Sequence, residues 1–518
     1  MTSRACTIGL DVGTTSVKAM GFDGHGRELV RASTDVPTVG DDRGAAEQDP
    51  TVVYTAVMDV LGRATVGLRA HGLTPTLLGF SAAMHSVIPV SDDGTPLGHA
   101  LLWMDTRAGD AARALLSSPE TPDLYARTGT PIHGMSPLCK LLWLRRQHAD
   151  VFTAAAKFVS IKEWIWHRWF GEWQVDASIA SATGLYNLRD GAWDAGALRL
   201  AGIGADHLSA LVPTTYSRPV RAHSPLATVG IAPYSIANIG ASDGVLANLG
   251  AGAISGDRMV ITIGTSCAVR AGRATPFTDP ASQSFCYVLD ATHYIVGGPS
   301  NSGGVVLAWL ARHILSTYGT ANGPAKAGLA NEDASSGAKN AIAALVAASE
   351  RADPDDLLCL PYITGERAPI WREDASGIFV GLRLHHTAVD LMRAAIEGII
   401  FNATVIASRL SAFEVAPREI VATGHVMDAQ WIRQLTADAF GLPVRHLGPV
   451  DASATGAALL ALLATNIWSP DDYRVFQAQL PAEVLQPTGA SKYDNQLRRF
   501  RRLISALTGD LADIYLDR

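Results

Sequence analysis

Two short hairpins with the same polar tip, about 250 residues apart, constrain this chain more than any other feature. In the first, the apolar run 7–13 leads through Thr14-Thr15-Ser16 into a second apolar run, 17–23, and Gly24-His25-Gly26 turns the chain again. Apolar alternation broken by Gly and hydroxyl residues predicts an antiparallel meander. In the second, run 259–266 ends in Gly264-Thr265-Ser266 and is followed by strand residues 267–270. Repetition of one device at the start of each half predicts two related domains, 1–249 and 250–518, with the boundary loosened by Gly250, Gly252 and Gly256. Each half continues with alternating strand and helix patterns, so the fold class expected is α/β. Helices are expected over 391–410, the Ala-rich stretch 323–350 and the C-terminal 492–518, with a loop near 331–337.

A Gly followed by hydroxyl residues in a tight turn offers converging N–H and O–H donors, which is what a phosphate needs. Thr14, Thr15 and Ser16, with Lys18 just beyond, form one such turn, and Thr265 and Ser266 the other. Facing each other, the two would clamp a triphosphate between the domains. Asp11, at the end of the first strand, is suited to hold Mg²⁺ through water. There is no Gly-x-x-x-x-Gly-Lys-Ser/Thr, so this is not a P-loop enzyme, and the run 250–256 misses the dinucleotide fingerprint by one residue.

Composition removes several other classes. Hydrophobic residues make up 48% and charged residues 18% of 518, which is globular rather than disordered. The net charge of −7 gives no pull toward nucleic acid. Cys6, Cys139, Cys267, Cys286 and Cys359 form no Cys-x-x-Cys pair, which fits a reducing, cytoplasmic setting. No stretch reads as a signal peptide or a membrane helix.

Four clusters could carry chemistry. Asp243 is the one charge in the stretch 224–256; a lone carboxylate there is either a proton acceptor or a helix cap. Met84-His85 follows an apolar strand, where His85 either donates to a substrate hydroxyl or is a satisfied core residue. Trp103, Asp105 and Arg107 offer an apolar face, an acceptor and a donor fork, suited to a polyol or sugar acid; a Trp anchor beside an ion pair is the alternative. Glu366-Arg367 reads better as a pair holding a loop than as catalytic. The Arg run 498–502 reads as a solvated helix face.

Taken together, Gly9-Leu10-Asp11-Val12-Gly13-Thr14-Thr15-Ser16-Val17-Lys18, Glu47-Gln48-Asp49-Pro50, Ala83-Met84-His85-Ser86, Trp103-Met104-Asp105-Thr106-Arg107, Gly240-Ala241-Ser242-Asp243-Gly244 and Ile263-Gly264-Thr265-Ser266 resemble the FGGY carbohydrate kinases, and among them the gluconokinases. The subgroup hints are His85-Ser86, the run 176–185 and Gly365-Glu366-Arg367-Ala368-Pro369-Ile370-Trp371. The resemblance implies two ribonuclease-H-like domains of the actin/hexokinase ATPase type with a cleft between them. It implies Asp243 as catalytic base, Asp11 near Mg²⁺, and Met84 and His85 in the sugar pocket. It also implies ATP contacts from Thr14, Thr15, Ser16, Thr265, Ser266, Gly303 and Gly304. Where the family usually carries Gly-Gly near adenosine, this chain reads Gly424-His425, so His425 would narrow the nucleotide pocket.

The reaction expected is ATP- and Mg²⁺-dependent phosphorylation of a small sugar or sugar acid, first D-gluconate at its 6-hydroxyl. Arg107, then Lys140, Lys162 and Arg367, are the basic residues considered for the substrate carboxylate. A xylulose, ribulose or other polyol kinase is the first alternative, and an actin-like or chaperone-like ATPase the second. The sequence leaves a homodimer open.

Overall fold

In the computed structural model, which describes residues 6–509 apart from 42, 120, 315–341, 355, 411–414, 449 and 490, Thr7–Val12 is buried along its whole length. It pairs in parallel with Leu77–Ala82 and antiparallel with Ser16–Phe22. Burial on both faces explains its unbroken apolar character. The six-stranded sheet runs Ser217–Pro219, Ile236–Asn238, Leu77–Ala82, Thr7–Val12, Ser16–Phe22, Glu28–Asp35. The motif Glu47-Gln48-Asp49-Pro50 builds structure here: Asp49 caps the helix Pro50–Ala70 by accepting from Thr51 N–H, with Pro in its first turn.

Two helices fix the end of this sheet. Ala452–Ala464 lies so close to the strands that a Cβ on Gly9 would come 2.0 Å from Ala454 O, and one on Gly79 1.9 Å from Ala457 O. Asp243–Gly250 crosses that helix just as tightly: a Cβ on Gly456 would meet Leu246 O at 2.0 Å, and one on Gly250 Ala452 O at 2.1 Å. Glycine is required at these crossings because only it lets backbone approach backbone this closely.

The chain divides into two compact units: Met1–Gly256, Ala271–Val296 and Pro449–Leu480 in the first, and Asp257–Arg270, Gly297–Gly448 and Pro481–Arg518 in the second. The expectation was a single cut between 1–249 and 250–518; the observed units interleave. The reasons are local. Helix Ala452–Ala464 belongs to the first sheet through the glycine contacts, and Phe285, Tyr287 and Leu289 share a core with Ala182, Leu246 and Leu460.

The seven-stranded sheet runs Phe285–Val288, Tyr294–Ser300, Cys267–Arg273, Arg258–Ile263, Glu419–Thr423, Val444–His446, Glu483–Leu485. The expected helix over 391–410 is Ala388–Arg409, opened by a Thr387/Asp390 capping box. The C-terminal pattern forms the helix Ser491–Thr508; residues 510–518 lie outside the described residues, as do 323–341 and the loop expected near 331–337. Pro50–Ala70 and Ala388–Arg409 are long and apolar enough to span a bilayer, contrary to the expectation that no stretch is. Both serve as packed helices: the window of the second is 83% buried, and the first lays Val53, Val57, Val60 and Leu61 into the core.

Candidate functional site

The first unit gathers three carboxylates and one lysine. Asp11 is buried at the end of its strand and accepts from Ser81 Oγ at 2.7 Å. Asp451 caps Ala452–Ala464 by accepting from Ala454 N–H and also takes Lys18 Nζ at 2.8 Å. Asp243 opens its helix, half-buried, with Gly244 N–H donating to Oδ1 at 2.6 Å, while Ser453 Oγ donates to Asp243 O. The expected capping alternative is answered by position: the cap is Ser242, and Asp243 lies in the first turn, where the helix dipole favours its charge.

Burial pushes Asp11 up to about 7, the charges of Asp451 and Asp243 add to the rise, and Ser81 and Lys18 oppose it. Lys18 is held above its ordinary value: burial works against its charge, and Asp451 overcomes that. A raised carboxyl contributes stability that is present below its ordinary 3.8 and lost as pH rises through about 7. Asp11→Asn, with metal chelated, is therefore expected to melt about 2–6 °C above the wild type at pH 8, with the gap narrowing steadily as pH falls toward about 4. A Tm difference that does not grow with pH removes this reading of Asp11.

A second network holds the corner carrying Asp243. Lys162 Nζ donates to Asp176 Oδ2 at 2.8 Å and to Ala241 O at 2.9 Å, with Phe80 beneath it. Ser178 Oγ lies 3.0 Å from Ser242 Oγ and accepts from Ser242 N–H. Gly240 turns this corner at φ +69°, where a Cβ would sit 2.0 Å from Phe80 O.

His85 adopts φ 71°, a left-handed conformation uncommon outside glycine, at the end of the Leu77–Ala82 segment. Two bonds hold it: its Nδ1 lies 2.8 Å from Ala182 O, and its carbonyl accepts from Lys140 Nζ at 2.7 Å. Lys140 is buried and donates also to Leu102 O at 2.6 Å and Leu101 O at 3.4 Å. Burial pushes its pKa down to about 7, but three carbonyl acceptors need three N–H donors, which only the ammonium has. Met84 and Trp103 are half-buried in the same unit.

Each basic residue considered for a substrate carboxylate already has partners. Lys140 is committed to three backbone carbonyls, and Lys162 to Asp176 and Ala241. Arg107 forks onto Asp105, reaches Glu47 and lies over the Trp143 ring at 4.6 Å. Asp105, buried and bonded also to Ala46 N–H, ties this segment together. Arg367 belongs to the second unit and donates to Ser300 O at 3.0 Å.

The turn Thr14-Thr15-Ser16 closes through Gly13 N–H to Ser16 O at 3.1 Å, and Gln48 Nε2 steadies Thr14 O at 2.7 Å. Its counterpart in the second unit closes through Gly264 N–H to Ser266 O at 3.0 Å. There Gly304 N–H donates to Gly264 O at 2.8 Å and Val305 N–H to Thr265 O at 3.0 Å, so the Gly303-Gly304 segment backs directly on the turn. A Cβ on Gly303 would come 2.6 Å from the Ser266 backbone. Gly424, at φ +90°, lies where a Cβ would meet Ile263 O at 2.4 Å. Beside these lies a cavity of about 670 Å³ lined by Gly304, Leu307, Val346, His425, Val426 and Trp431. That size falls in the roughly 300–1,000 Å³ range of small-molecule sites. His425 lines this cavity, its Nε2 3.0 Å from where a Gly304 Cβ would be.

Sequence reasoning missed Asp451, and it read Glu366-Arg367 as a pair holding a loop without naming the residues it holds. For Asp451 a signal existed: an Asp heading the small-residue run Ala452-Ser453-Ala454-Thr455-Gly456-Ala457-Ala458.

The N-terminal domain model of the FGGY family of carbohydrate kinases matches residues 6–250, and the C-terminal domain model matches 259–465. The chain belongs to this family. A gluconokinase of Bacillus subtilis (strain 168) is 37% identical over 461 residues, 89% of this chain and 87% of that protein. A xylulose kinase of Staphylococcus xylosus is 25% identical over 464 residues, 89% of this chain and 91% of that protein. Among solved structures, a gluconate kinase from Lactobacillus acidophilus superposes with a TM-score of 0.87 at 31% identity, covering 98% of each chain. The fold is thus the two-domain sugar-kinase, actin-like ATPase fold, and the chain is a carbohydrate kinase.

Proposed function

We propose that this FGGY kinase transfers the γ-phosphoryl group of ATP to the 6-hydroxyl of D-gluconate. The observation that carries the substrate is the 37% identity to a gluconokinase over 89% of the chain, against 25% to a xylulose kinase over a similar span. Asp243 takes the hydroxyl proton as the substrate oxygen bonds to the γ-phosphorus and the bond to the β–γ bridging oxygen breaks, releasing ADP. Its place at a helix N-terminus, with Lys162 held nearby by Asp176, supports this role. Met84, His85 and Trp103 form the sugar side. The turns at Thr14-Thr15-Ser16 and Thr265-Ser266, with Gly303, Gly304 and Gly424, form the phosphate and nucleotide side, and Lys18 stands by the first turn.

Among the described residues no group of three or more His, Cys, Asp or Glu is arranged to hold a metal alone. That fits Mg²⁺, which is bound mainly by phosphates and water with one or two carboxylates. Asp11, buried beside two further carboxylates, is the residue that would hold it, and a bound Mg²⁺ supplies neutralisation of the phosphate charge.

An ADP-release assay against gluconate, xylulose, ribulose, glycerol and erythritol tests the reading. Gluconate is expected to lead in kcat/KM by at least about tenfold, with little turnover in the absence of any acceptor. Equal or greater efficiency on a pentulose would transfer the assignment to that substrate. Sugar-independent turnover would favour an ATPase.

A further inference from the structure

One fully buried carboxylate in the second unit takes part in none of the steps above. Glu366 is 0% exposed, yet five donors converge on it. Asn301 N–H and Arg367 N–H donate to Oε1 at 2.7 and 2.8 Å. Ser300 Oγ and Ser302 Oγ donate to Oε2, each at 2.8 Å, and Asn402 Nδ2 reaches it at 3.2 Å. Three of the five come from consecutive residues, 300–302, which run straight into Gly303-Gly304. Gly304 N–H and the following Val305 N–H donate to Gly264 O and Thr265 O, and Gly303 presses on the Ser266 backbone. Glu366 also stands near Cys267, the residue following the turn, and adds to the rise of its thiol to about 12, which burial dominates.

Burying a carboxylate is costly unless it is satisfied, and a plain loop tether needs no charge. A charged hub is worth its desolvation when several donors must be held in one fixed geometry. We infer that Glu366 is a positioning residue for nucleotide: by fixing 300–302 it sets the Gly303-Gly304 backbone and, through it, the second phosphate turn at Gly264-Thr265-Ser266. This rests on the proposed reading of that turn as a phosphate contact. The expected loop-holding role of the Glu366-Arg367 pair is thereby given a specific object. Arg367 contributes its backbone N–H to Glu366 and its guanidinium to Ser300 O.

The test uses the full chain and ADP binding by calorimetry without sugar, so that it stands apart from the identity of the sugar. Glu366→Ala is expected to weaken ADP binding about ten- to hundredfold. Glu366→Gln keeps an acceptor for Asn301 and Arg367 N–H but turns an NH2 toward Ser300 Oγ, Ser302 Oγ and Asn402 Nδ2, and is expected to fall between wild type and the Ala variant, weakening ADP binding about three- to tenfold. In turnover assays KM for ATP should rise in the Ala variant while KM for gluconate stays within about twofold. ADP affinity unchanged in Glu366→Ala, or a parallel loss for ATP and gluconate, would overturn the inference. If the Ala variant does not fold, Ser302→Ala removes one arm of the hub. It should lower ADP affinity about three- to tenfold, and unchanged affinity there counts equally against it. Failure to phosphorylate gluconate, with ADP binding altered as stated, would reject only the substrate reading.

Discussion

Asp243→Asn is expected to bind nucleotide and melt like the wild type while losing about 10²–10⁴-fold in kcat for sugar phosphorylation. Asn keeps the shape and can still accept from Gly244 N–H, the bond that orients the side chain at 2.6 Å. What it cannot do is take a proton. Neighbouring groups hold the corner independently: Lys162 on Ala241 O, Ser178 on Ser242, and glycine at 240. A structural explanation for lost activity is therefore testable in the same sample by Tm and ADP titration. Near wild-type kcat with an intact fold would remove Asp243 from the role of base. A matching loss of ADP affinity would place the defect in folding or binding instead.

Lys140→Met is expected to be the most damaging change outside the carboxylates. Met fills a similar volume but leaves the carbonyls of His85, Leu101 and Leu102 without their donor. Orphaned buried acceptors cost roughly 1–3 kcal/mol each, so Tm should fall by about 5–10 °C. The kinetic consequence is specific. His85 keeps its left-handed backbone through this bond and the contact of its ring with Ala182 O. Relaxation of that backbone should raise KM for the sugar about ten- to hundredfold, since small displacements at a positioning residue are costly. KM for ATP should move little, because Lys140 holds none of the residues proposed to contact the nucleotide. If Tm is unchanged, or if both KM values rise together, the ammonium does not act as a brace for His85.

Both hairpins were legible because a turn of Gly and hydroxyl residues between apolar runs is a local property, set by backbone sterics within a few residues. So was Asp243, whose isolation among 33 otherwise uncharged positions, 224–256, is visible in one dimension. The substitution of His425 for a family glycine was equally legible, and its side chain does line the cavity. The pattern-based helices 388–409 and 491–508 needed only periodicity and caps.

Long-range partners were not legible, and each basic candidate has at least one. Arg107 as a carboxylate fork was a sound reading of residue chemistry, but Glu47, 60 residues away, joins Asp105 in claiming it. Lys140 meets its carbonyl partners at separations of 38–55 residues, Lys18 meets Asp451 across 433, and Glu366 collects Ser300 across 66. The sequence by itself determined the family, the two polar turns and the solitary carboxylate, because turn sterics, apolar periodicity and local charge density are short-range. Only the tertiary structure decided which ions are already spent on one another, which buried groups brace the loops, and which segments share a unit. Those outcomes depend on distances between residues far apart in sequence and on desolvation, and both exist only once the glycine-lined crossings of 9, 79, 250 and 456 have brought the helices onto the sheet.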